Sequence, residues 1–285
     1  MKNLIYDSSV VSLPQNDCSN LFFSYMKMSC NDWIIIKNKQ QIEWIREAWK
    51  YLNELLYLMR ENCKAWVSLI ELEDLAQDFM DKNNVKWTFK WFEWFPANLC
   101  LSVNDCVVHW IPDDYILKNG DLLKVDTWVT HNKFVSDSAF SIVIWWEMTN
   151  PLAQDLIDST KNALDAWFNA VWPWKFVYDF SKTVYNVVTN DWFNVIKTLT
   201  WHGVWIKWHE RPYIYNYPHP DTKKIQFVPW MVVCFEPITA VNSDDVMYKW
   251  NNDRNLYCKK WDLWAQREYM VVITENGIER LSGID

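Results

Sequence analysis

The amino-acid sequence predicts an α+β fold in one compact domain. Helix-like and strand-like stretches follow each other in mixed order along the 285 residues, and neighbouring strand patterns suggest antiparallel hairpins. Half of the residues are hydrophobic, which is enough for a sizeable core. No low-complexity linker follows residue 35. One domain therefore accounts for the chain better than two.

The N-terminal segment differs from the rest of the chain. Residues 1–32 show no clear hydrophobic periodicity. We interpret them as an extension that is either disordered or precedes the true start at Met26 or Met28. Residues 33–285 are assigned to the folded domain.

Four stretches carry the periodicity of amphipathic helices. In residues 39–62 the apolar positions three or four residues apart are Ile42, Ile45, Trp49, Leu52, Leu56 and Met59. The other predicted helices are residues 71–84, 151–170 and 177–191. The strand patterns occupy residues 98–148, 225–237 and 268–277.

Charge, hydropathy and cysteine content exclude several classes of protein. The net charge of −8 and the pI near 5.2 argue against a nucleic-acid binder that neutralises phosphates. No apolar run reaches the roughly 18 residues that span a bilayer, and the N-terminus lacks the apolar core of a secretory signal. The seven cysteines include no CxxC pair, which favours a reducing compartment. We expect a cytoplasmic protein.

Two aspartates in residues 120–144 suggest a polar site within an apolar hairpin. A turn centred on His131–Asn132 would place Asp126 directly opposite Asp137, with Cβ atoms about 4.5–5.5 Å apart. Such close carboxylates repel each other unless one is protonated or a cation lies between them. The alternative is a solvated hairpin with two ordinary surface aspartates.

Two glutamates and a histidine extend this acidic set. Glu236 ends the apolar stretch MVVCFE, and Glu268 begins the stretch EYMVVIT. Acids at such strand ends are more often caps or salt-bridge partners than ligands, and a lone histidine is more often structural. Together with the two aspartates and His202, however, they make an oxygen-rich set that suits two divalent ions bridged by carboxylates.

Six separated stretches resemble a type I methionine aminopeptidase. They are WFEWFPANLCLSVNDCVVHWIPDD (91–114), GDLLKVD (120–126), Asp137, WHGVWIKWHERP (201–212), PWMVVCFEP (229–237) and AQREYMVVITENG (265–277). The resemblance covers roughly residues 35–283, in order and with similar spacing. It implies the pseudo-symmetric pita-bread fold of the creatinase and aminopeptidase group, an antiparallel sheet flanked by helices, with a two-metal hydrolytic site.

The resemblance implies a role for each residue of the acidic set. The metal ligands would be Asp126, Asp137, His202, Glu236 and Glu268. Asp137 and Glu268 would bridge two divalent ions, which could be cobalt, manganese, iron or zinc. A water acidified by the two ions would attack the first peptide carbonyl, and Glu236 would accept its proton.

The same resemblance implies the residues that contact the substrate. His109 would hold the scissile amide nitrogen, and His209 would bind the peptide carbonyl and stabilise the oxyanion. The methionine pocket would be lined by Phe92, Phe95, Cys100 and Trp208.

The function that this resemblance implies is removal of the initiator methionine from nascent polypeptides. The implied enzyme is a cytoplasmic monomer that acts on nascent N-termini near the ribosome and needs neither nucleic acid nor a membrane. A proline-directed peptidase of the same fold shares the ligands, but the FPANLCLSVN stretch and the short N-terminal region argue against it. A non-catalytic binding protein on this fold is the other alternative, although no implied ligand is missing.

Several residues depart from the family pattern around the ligands. Arg211 stands at a usually acidic position, Arg267 at an often apolar one, and Tyr269 at a frequent histidine. Lys133 and Ser136 stand where glycines are usual. These departures affect the surroundings of the ligands and not the ligand set.

Tryptophan and glycine usage is the most unusual feature of the sequence, with 22 Trp and 4 Gly. Thirteen tryptophans stand at positions where the family has glycine: Trp49, Trp66, Trp91, Trp94, Trp110, Trp128, Trp167, Trp174, Trp192, Trp201, Trp205, Trp230 and Trp261. Random mutation does not repeat one exchange so often. We hypothesise that these codons are UGA, which some bacterial lineages read as glycine. The alternative is a real chain with an indole-filled, inactive site.

Overall fold

A computed structural model describes residues 24–27, 33–87, 90, 95–144, 150–168, 171–204, 210–248, 255–258 and 262–284. Its α-helices are α1 (Lys39–Asn62), α2 (Leu69–Asn83), α3 (Pro151–Phe168) and α4 (Val177–Asn190). These confirm the four predicted helices. A short 3-10 helix, Pro220–Lys224, follows later in the chain. In the described residues no helix is long and apolar enough to cross a membrane.

The strands of the first half are β1 (Ser24–Lys27), β2 (Trp33–Ile36), β3 (Lys86–Trp87), β4 (Leu99–Val103), β5 (Cys106–Val108), β6 (Leu122–His131) and β7 (Phe134–Val143). Those of the second half are β8 (Asn194–Val195), β9 (Thr200–Gly203), β10 (Glu210–Tyr215), β11 (Val232–Phe235), β12 (Ile238–Ala240), β13 (Val246–Tyr248), β14 (Leu256–Cys258), β15 (Trp264–Gln266), β16 (Tyr269–Thr274) and β17 (Gly277–Arg280). Strand β1 pairs with β2, so part of the predicted extension joins a hairpin. The domain boundary near residue 32 stays a prediction.

Two antiparallel sheets form the body of the fold. Strands β10, β9, β11, β16 and β17 make one sheet in that order, and β6 pairs with β3, β4 and β7 in the other. The amide of Glu268 donates to the carbonyl of Ala139 at 2.9 Å, which joins the two sheets. Smaller three-stranded sheets, β15-β12-β8 and β13-β14-β5, complete the architecture. The mixed α and antiparallel β composition confirms the predicted fold class.

Each large sheet carries a pair of helices on its outer face. In the first half, Leu123, Val125 and Val129 of β6 pack with apolar residues of α1 and α2. In the second half, Val233 and Phe235 of β11 pack with apolar residues of α3 and α4. The alternate residues of the same strands point the other way, because side chains alternate between the faces of a strand. A third cluster, which includes Cys100, Trp128, Val232, Cys234 and Met270, fills the layer between the inner faces.

The β6–β7 hairpin has a different register from the predicted one. Its turn residues are Asn132 and Lys133, with φ of 49° and 74°, and they lie between the paired residues His131 and Phe134. Asp126 therefore pairs with Ala139, and Trp128 pairs with Asp137. The predicted pairing of Asp126 with Asp137 is wrong by two residues. A two-residue turn with two positive φ angles matches the strand twist, and neither residue is the glycine that usually signals it.

The two halves of the chain follow the same backbone course before their second helices. Ahead of α2, Trp66 N donates to Leu117 O at 2.9 Å, and ahead of α4, Trp174 N donates to Phe227 O at 2.6 Å. The φ angles of the two tryptophans are 74° and 73°. The unit of α1, α2 and the strands that follow is thus repeated by α3, α4 and their strands.

Two later turns repeat as well, but with different residues in the two halves. After α2 the left-handed residue is Asn84, with φ of 52°, and after α4 it is Trp192, with φ of 66°. Before β6 it is Gly120, with φ of 87°, and before β11 it is Trp230, with φ of 71°. Glycine adopts a left-handed backbone without steric cost, and asparagine adopts it at a small cost. A residue with a bulky side chain rarely adopts it.

Within the described part of the chain, four of the thirteen tryptophans at family glycine positions thus have a backbone that favours glycine. Trp201 does not, because it lies in β9, fully buried, with its indole Nε1 donating to Asn216 Oδ1 at 2.6 Å. Trp91, Trp94, Trp205, Trp261 and the Trp167 side chain lie outside the described residues. The hypothesis about their codons stays a prediction.

Candidate metal centre

The second-half sheet presents two glutamates to the inner layer. Strand β11 alternates so that Val232 and Cys234 face inward, and Glu236 follows two residues later on the same face. Its partner strand β16 pairs Cys234 with Met270. Continuing that antiparallel register places Glu236 opposite Glu268, which precedes β16. The two carboxylates therefore approach each other where both strands end.

The first-half sheet presents two aspartates to the same layer. Asp126 on β6 and Asp137 on β7 share one face, because the observed register differs from the predicted one by two residues and not by one. They are diagonal neighbours and not a direct pair. Backbone contacts fix Asp137 in place, since Ser282 Oγ donates to its carbonyl oxygen at 2.6 Å.

His202 brings the imidazole to these carboxylates. Its Nδ1–H donates to the Gly203 carbonyl at 3.1 Å, so in the neutral ring Nε2 carries the lone pair. Nε2 lies 3.6 Å from Glu236 Oε1 and 3.8 Å from Asp137 Oδ2. This orientation is the one in which a histidine ligates a metal while its other nitrogen is held by an outer partner.

Gly203, beside this histidine, is required by a close backbone approach. A Cβ atom at this position would lie 2.6 Å from the Arg211 carbonyl oxygen. Strand β9 pairs at Gly203 with both Glu210 of β10 and Val233 of β11. Any larger residue would push β10 away and shift the strand that holds His202.

The buried carboxylates are electrostatically unstable without a cation. Burial raises the pKa of Asp126 to about 7, and it raises the pKa values of Asp137, Glu236 and Glu268 well above their ordinary range. Repulsion from neighbouring carboxylates adds to the shift for the last three. One oxygen each of Asp126, Asp137 and Glu268 is buried without a hydrogen-bond partner. Divalent cations would satisfy these oxygens and restore the ionised forms.

The donor atoms fit a bound metal ion in distance as well as in chemistry. One ligand atom from each of Asp137, His202, Cys234 and Glu268 lies within 4.8 Å of the others. Glu236 adjoins this group, since its Oε1 lies 3.6 Å from His202 Nε2, and Asp126 shares the strand face of Asp137. The donor set of carboxylates plus imidazole suits the divalent first-row metals. The arrangement can hold metal and activate a water for hydrolysis.

Two residues of the centre are absent from the sequence prediction. Gln266 donates from Nε2 to Glu236 Oε2 at 3.3 Å and is itself held through Ser141 Oγ, which contacts its backbone at 2.8 Å. Cys234 lies among the ligands. The signal for Cys234 was present in the sequence, because it stands two residues before Glu236 on the same strand face.

The residues predicted to contact substrate are only partly described. His109 is exposed with φ of 68°, and its amide donates to Cys100 Sγ at 2.9 Å. Cys100 pairs with Asp126 across β4 and β6, and Phe95 lies in the same inner cluster. Cys100 therefore lies beside Asp126, and the His109 backbone lies next to Cys100. The substrate roles of these residues stay predictions. Phe92, Trp208 and His209 lie outside the described residues, and their roles stay predictions.

A buried ion pair holds the strand that follows the predicted His209. Lys37 Nζ lies 3.3 Å from Glu210 Oε2, and both side chains are almost fully buried. The Lys37 amide also donates to the Trp230 carbonyl at 2.9 Å. These contacts attach the segment before α1 to the second-half sheet.

Comparisons with known proteins agree with this site. Residues 43–275 match the model of metallopeptidase family M24. The chain is 31% identical to the methionine aminopeptidase of Mycoplasma capricolum over 255 residues, covering 87% of this chain and 98% of that protein. It is also 31% identical to the methionine aminopeptidase of Clostridium acetobutylicum over 250 residues, with 87% and 98% covered.

A solved structure shows the same architecture. The crystal structure of methionine aminopeptidase from Thermotoga maritima matches with a TM-score of 0.83 and 27% identity, covering 88% of this chain and all of that one. The alignments thus span almost the full length of these proteins.

Proposed function

Because the chain belongs to metallopeptidase family M24, we propose that it is a methionyl aminopeptidase that removes the initiator methionine from nascent proteins. Its relatives at 31% identity are named methionine aminopeptidases, and the chain spans 98% of their length. The observation that carries the proposal is the set of buried carboxylates around the His202 imidazole, which needs cations to be stable.

We propose two divalent ions, since four carboxylates can offer up to about eight oxygens, which together with one imidazole exceed the roughly six donors that one ion takes. Asp126, Asp137, His202, Glu236 and Glu268 would hold them. When bound, such ions lower the pKa of a water and polarise a peptide carbonyl.

The chain's own residues then position and protonate the reactants. Glu236 accepts a proton from the attacking water, because its side chain is 13% exposed, against 1% for Asp137. Gln266 donates to the other oxygen of Glu236 and orients it. His109, held by its amide contact to Cys100, holds the scissile amide nitrogen. His209 follows from the sequence as the residue that stabilises the oxyanion.

The test is hydrolysis of short peptides by purified protein with divalent metal. We expect release of methionine from Met-Ala peptides and much slower cleavage of Leu-Ala peptides, since we propose that Phe95 and Cys100, which belong to one apolar cluster, line a pocket for an unbranched side chain. The assay is run on the chain as written and on a version with glycine at the thirteen tryptophan positions. Cleavage only before proline would point to the Xaa-Pro alternative. Metal binding without hydrolysis in either chain would point to a binding protein.

A variant of His109 separates substrate contact from metal binding. His109→Ala should retain the metal content of the unaltered protein and lower kcat strongly, about 100-fold, because a substrate-positioning contact is lost. Elemental analysis and steady-state kinetics measure the two effects. Loss of metal in this variant would make His109 a ligand and contradict the assignment.

The remaining features of the proposal concern partners and location. The substrates are N-termini of nascent polypeptides, met near the ribosome by a cytoplasmic monomer. Ribosome co-sedimentation and size-exclusion chromatography of the purified protein test these points.

A further inference from the structure

Cys234 lies inside the metal centre and has no role in the function proposed above. Its side chain is fully buried on the inner face of β11. Its Sγ lies within 4.8 Å of ligand atoms from Asp137, His202 and Glu268. No other cysteine of the described residues belongs to such a group.

The surrounding atoms point to a ligand at this sulfur. Asp137 Oδ1 and Glu268 Oε1 are buried and have no hydrogen-bond partner. One carboxylate oxygen of each residue lies within 4.8 Å of the sulfur and of a His202 ring nitrogen. A metal–sulfur bond is about 2.3 Å and a metal–oxygen or metal–nitrogen bond about 2.0–2.2 Å, so donors bound to one ion lie at most about 4.5 Å apart. Four donors around one tetrahedral ion lie about 3.5 Å from one another. The four side chains must therefore close in by up to about 1.3 Å for one ion to reach them all.

The backbone holds the sulfur in this position. Val233, the preceding residue, pairs with Gly203 beside His202, and Cys234 itself pairs with Met270, two residues after Glu268. Strand β11 thus lies between the strands that carry the imidazole and the glutamate. Cys234 cannot leave the centre without moving a ligand-bearing strand.

We propose that Cys234 is a sulfur ligand of the ion held by Asp137, His202 and Glu268. The proposal rests on the metal centre of the proposed function. On binding, the S–H bond breaks, a sulfur–metal bond forms, and the proton leaves to solvent through the carboxylates. A thiolate is a softer donor than carboxylate, so the site prefers zinc and cobalt over manganese.

The test is the absorption spectrum of the cobalt(II)-loaded protein. It is measured on the chain as written and on the version with glycine at the thirteen tryptophan positions. We expect a thiolate-to-cobalt charge-transfer band in the near ultraviolet. Cys234→Ser should lose this band and keep the visible ligand-field bands of bound cobalt. Cys100→Ser is the matched control, because Cys100 is also buried in the inner layer, beside Asp126, and this variant should keep the band.

A competition experiment gives a second readout. Cys234→Ser should weaken zinc binding by at least about tenfold and change manganese binding by less than about threefold. Bound cobalt without the charge-transfer band in the unaltered protein would overturn the proposal and leave the metal centre standing. Failure of both chains to bind cobalt would overturn the metal centre itself. The spectrum of the unaltered protein decides the matter even if Cys234→Ser does not fold.

Discussion

The two halves of the chain build the same turns from different residues. The turn before β6 uses Gly120, and the equivalent turn before β11 uses Trp230. In both turns the amide of the left-handed residue donates a hydrogen bond to a backbone carbonyl. The acceptor is the Ile144 carbonyl at 2.7 Å in the first half and the Ile273 carbonyl at 2.7 Å in the second. The backbone requirement is therefore identical, and only the first half meets it with glycine.

The turns after α2 and α4 give the same contrast. Asn84 accepts left-handed backbone at little cost, whereas Trp192 holds it with a side chain that is 91% exposed and gains no packing. A residue that neither packs nor suits its backbone has no structural reason to be tryptophan. The comparison thus supports glycine at these positions without reference to any relative.

The largest expected effect, on metal binding and activity, comes from removing a ligand of the metal centre, to which both halves of the chain contribute. Asp137→Asn removes a first-half carboxylate from a centre whose other ligands are mostly in the second half. Loss of an outer partner of a ligand already costs 10–100-fold in metal affinity, so loss of this ligand should exceed about 100-fold and leave at most one ion and background activity. Elemental analysis and peptide hydrolysis measure this. Full occupancy by two ions would show that Asp137 is not a ligand.

The next effect tests the turns themselves. Replacing Trp66, Trp174, Trp192 and Trp230 by glycine should raise the free energy of unfolding, since each strained residue costs about 1–3 kcal/mol. The reciprocal change, Gly120→Trp, should lower it. Chemical denaturation measures both. If Trp230→Gly destabilised the protein as much as Gly120→Trp, the two turns would not be equivalent.

The gene and the protein of the native organism test the codon hypothesis. We expect UGA codons, and glycine in peptide masses, at positions 110, 128, 201, 205 and 230. The chain with tryptophan at all thirteen positions should misfold or stay inactive, because the summed cost exceeds the roughly 5–15 kcal/mol that stabilises a typical domain. UGG codons at these positions, or active protein with tryptophan in its peptides, would refute this.

A smaller effect concerns how the free energy of unfolding depends on pH. It comes from Lys124 on the inner face of the first-half sheet, whose counterpart in the second half is Cys234. Lys124 stands two residues before Asp126, as Cys234 stands two before Glu236. In the folded protein, burial lowers the pKa of Lys124 to about 8. In the unfolded chain the same side chain has its ordinary pKa of 10.5. The unfolded state therefore binds more protons in this window, and stability rises with pH by up to about 1.4 kcal/mol per unit. Lys124→Met should flatten this rise in denaturation curves from pH 8 to 10, and parallel curves would exclude the effect.

The smallest expected effect is at the turn that already suits its backbone. Asn84→Gly should change the free energy of unfolding by less than about 0.5 kcal/mol, because both residues accept left-handed backbone. Trp192→Gly should have a clearly larger effect. Thermal or chemical denaturation of the two variants compares them, and equal changes would remove the distinction between the halves.

The helices were the most predictable part of the fold. The apolar period of residues 39–62 matches α1, whose start is marked by a capping box of Asn38 and Gln41. The hairpin register was not predictable, because its turn uses Asn132 and Lys133 without the glycine that normally identifies it. The pseudo-symmetry was implied by the resemblance and not by a residue pattern, because equivalent left-handed positions carry different residues: Gly120 against Trp230, and Asn84 against Trp192.

The ligand set was predicted from the resemblance and not from hairpin geometry. Asp126 and Asp137 share a face in the observed register because an error of two residues preserves the face, whereas an error of one would not. Cys234 was missed because the cysteines were considered only as a set, for disulfides and zinc motifs. Its spacing of two from Glu236 indicates the shared strand face.

The contact between Lys37 and the second-half sheet can form only late in the synthesis of the chain, because its partners lie far along the sequence. Lys37 leaves the ribosome early, but Glu210 and the Trp230 carbonyl, which hold it, emerge much later. Glu268 follows later still. When the N-terminal half folds first, Asp126 and Asp137 therefore lack the other proposed metal ligands, His202, Glu236 and Glu268. An enzyme that acts on the N-termini of other polypeptides can therefore complete its own metal centre only after the C-terminal part of its chain, with Glu268, has been synthesised.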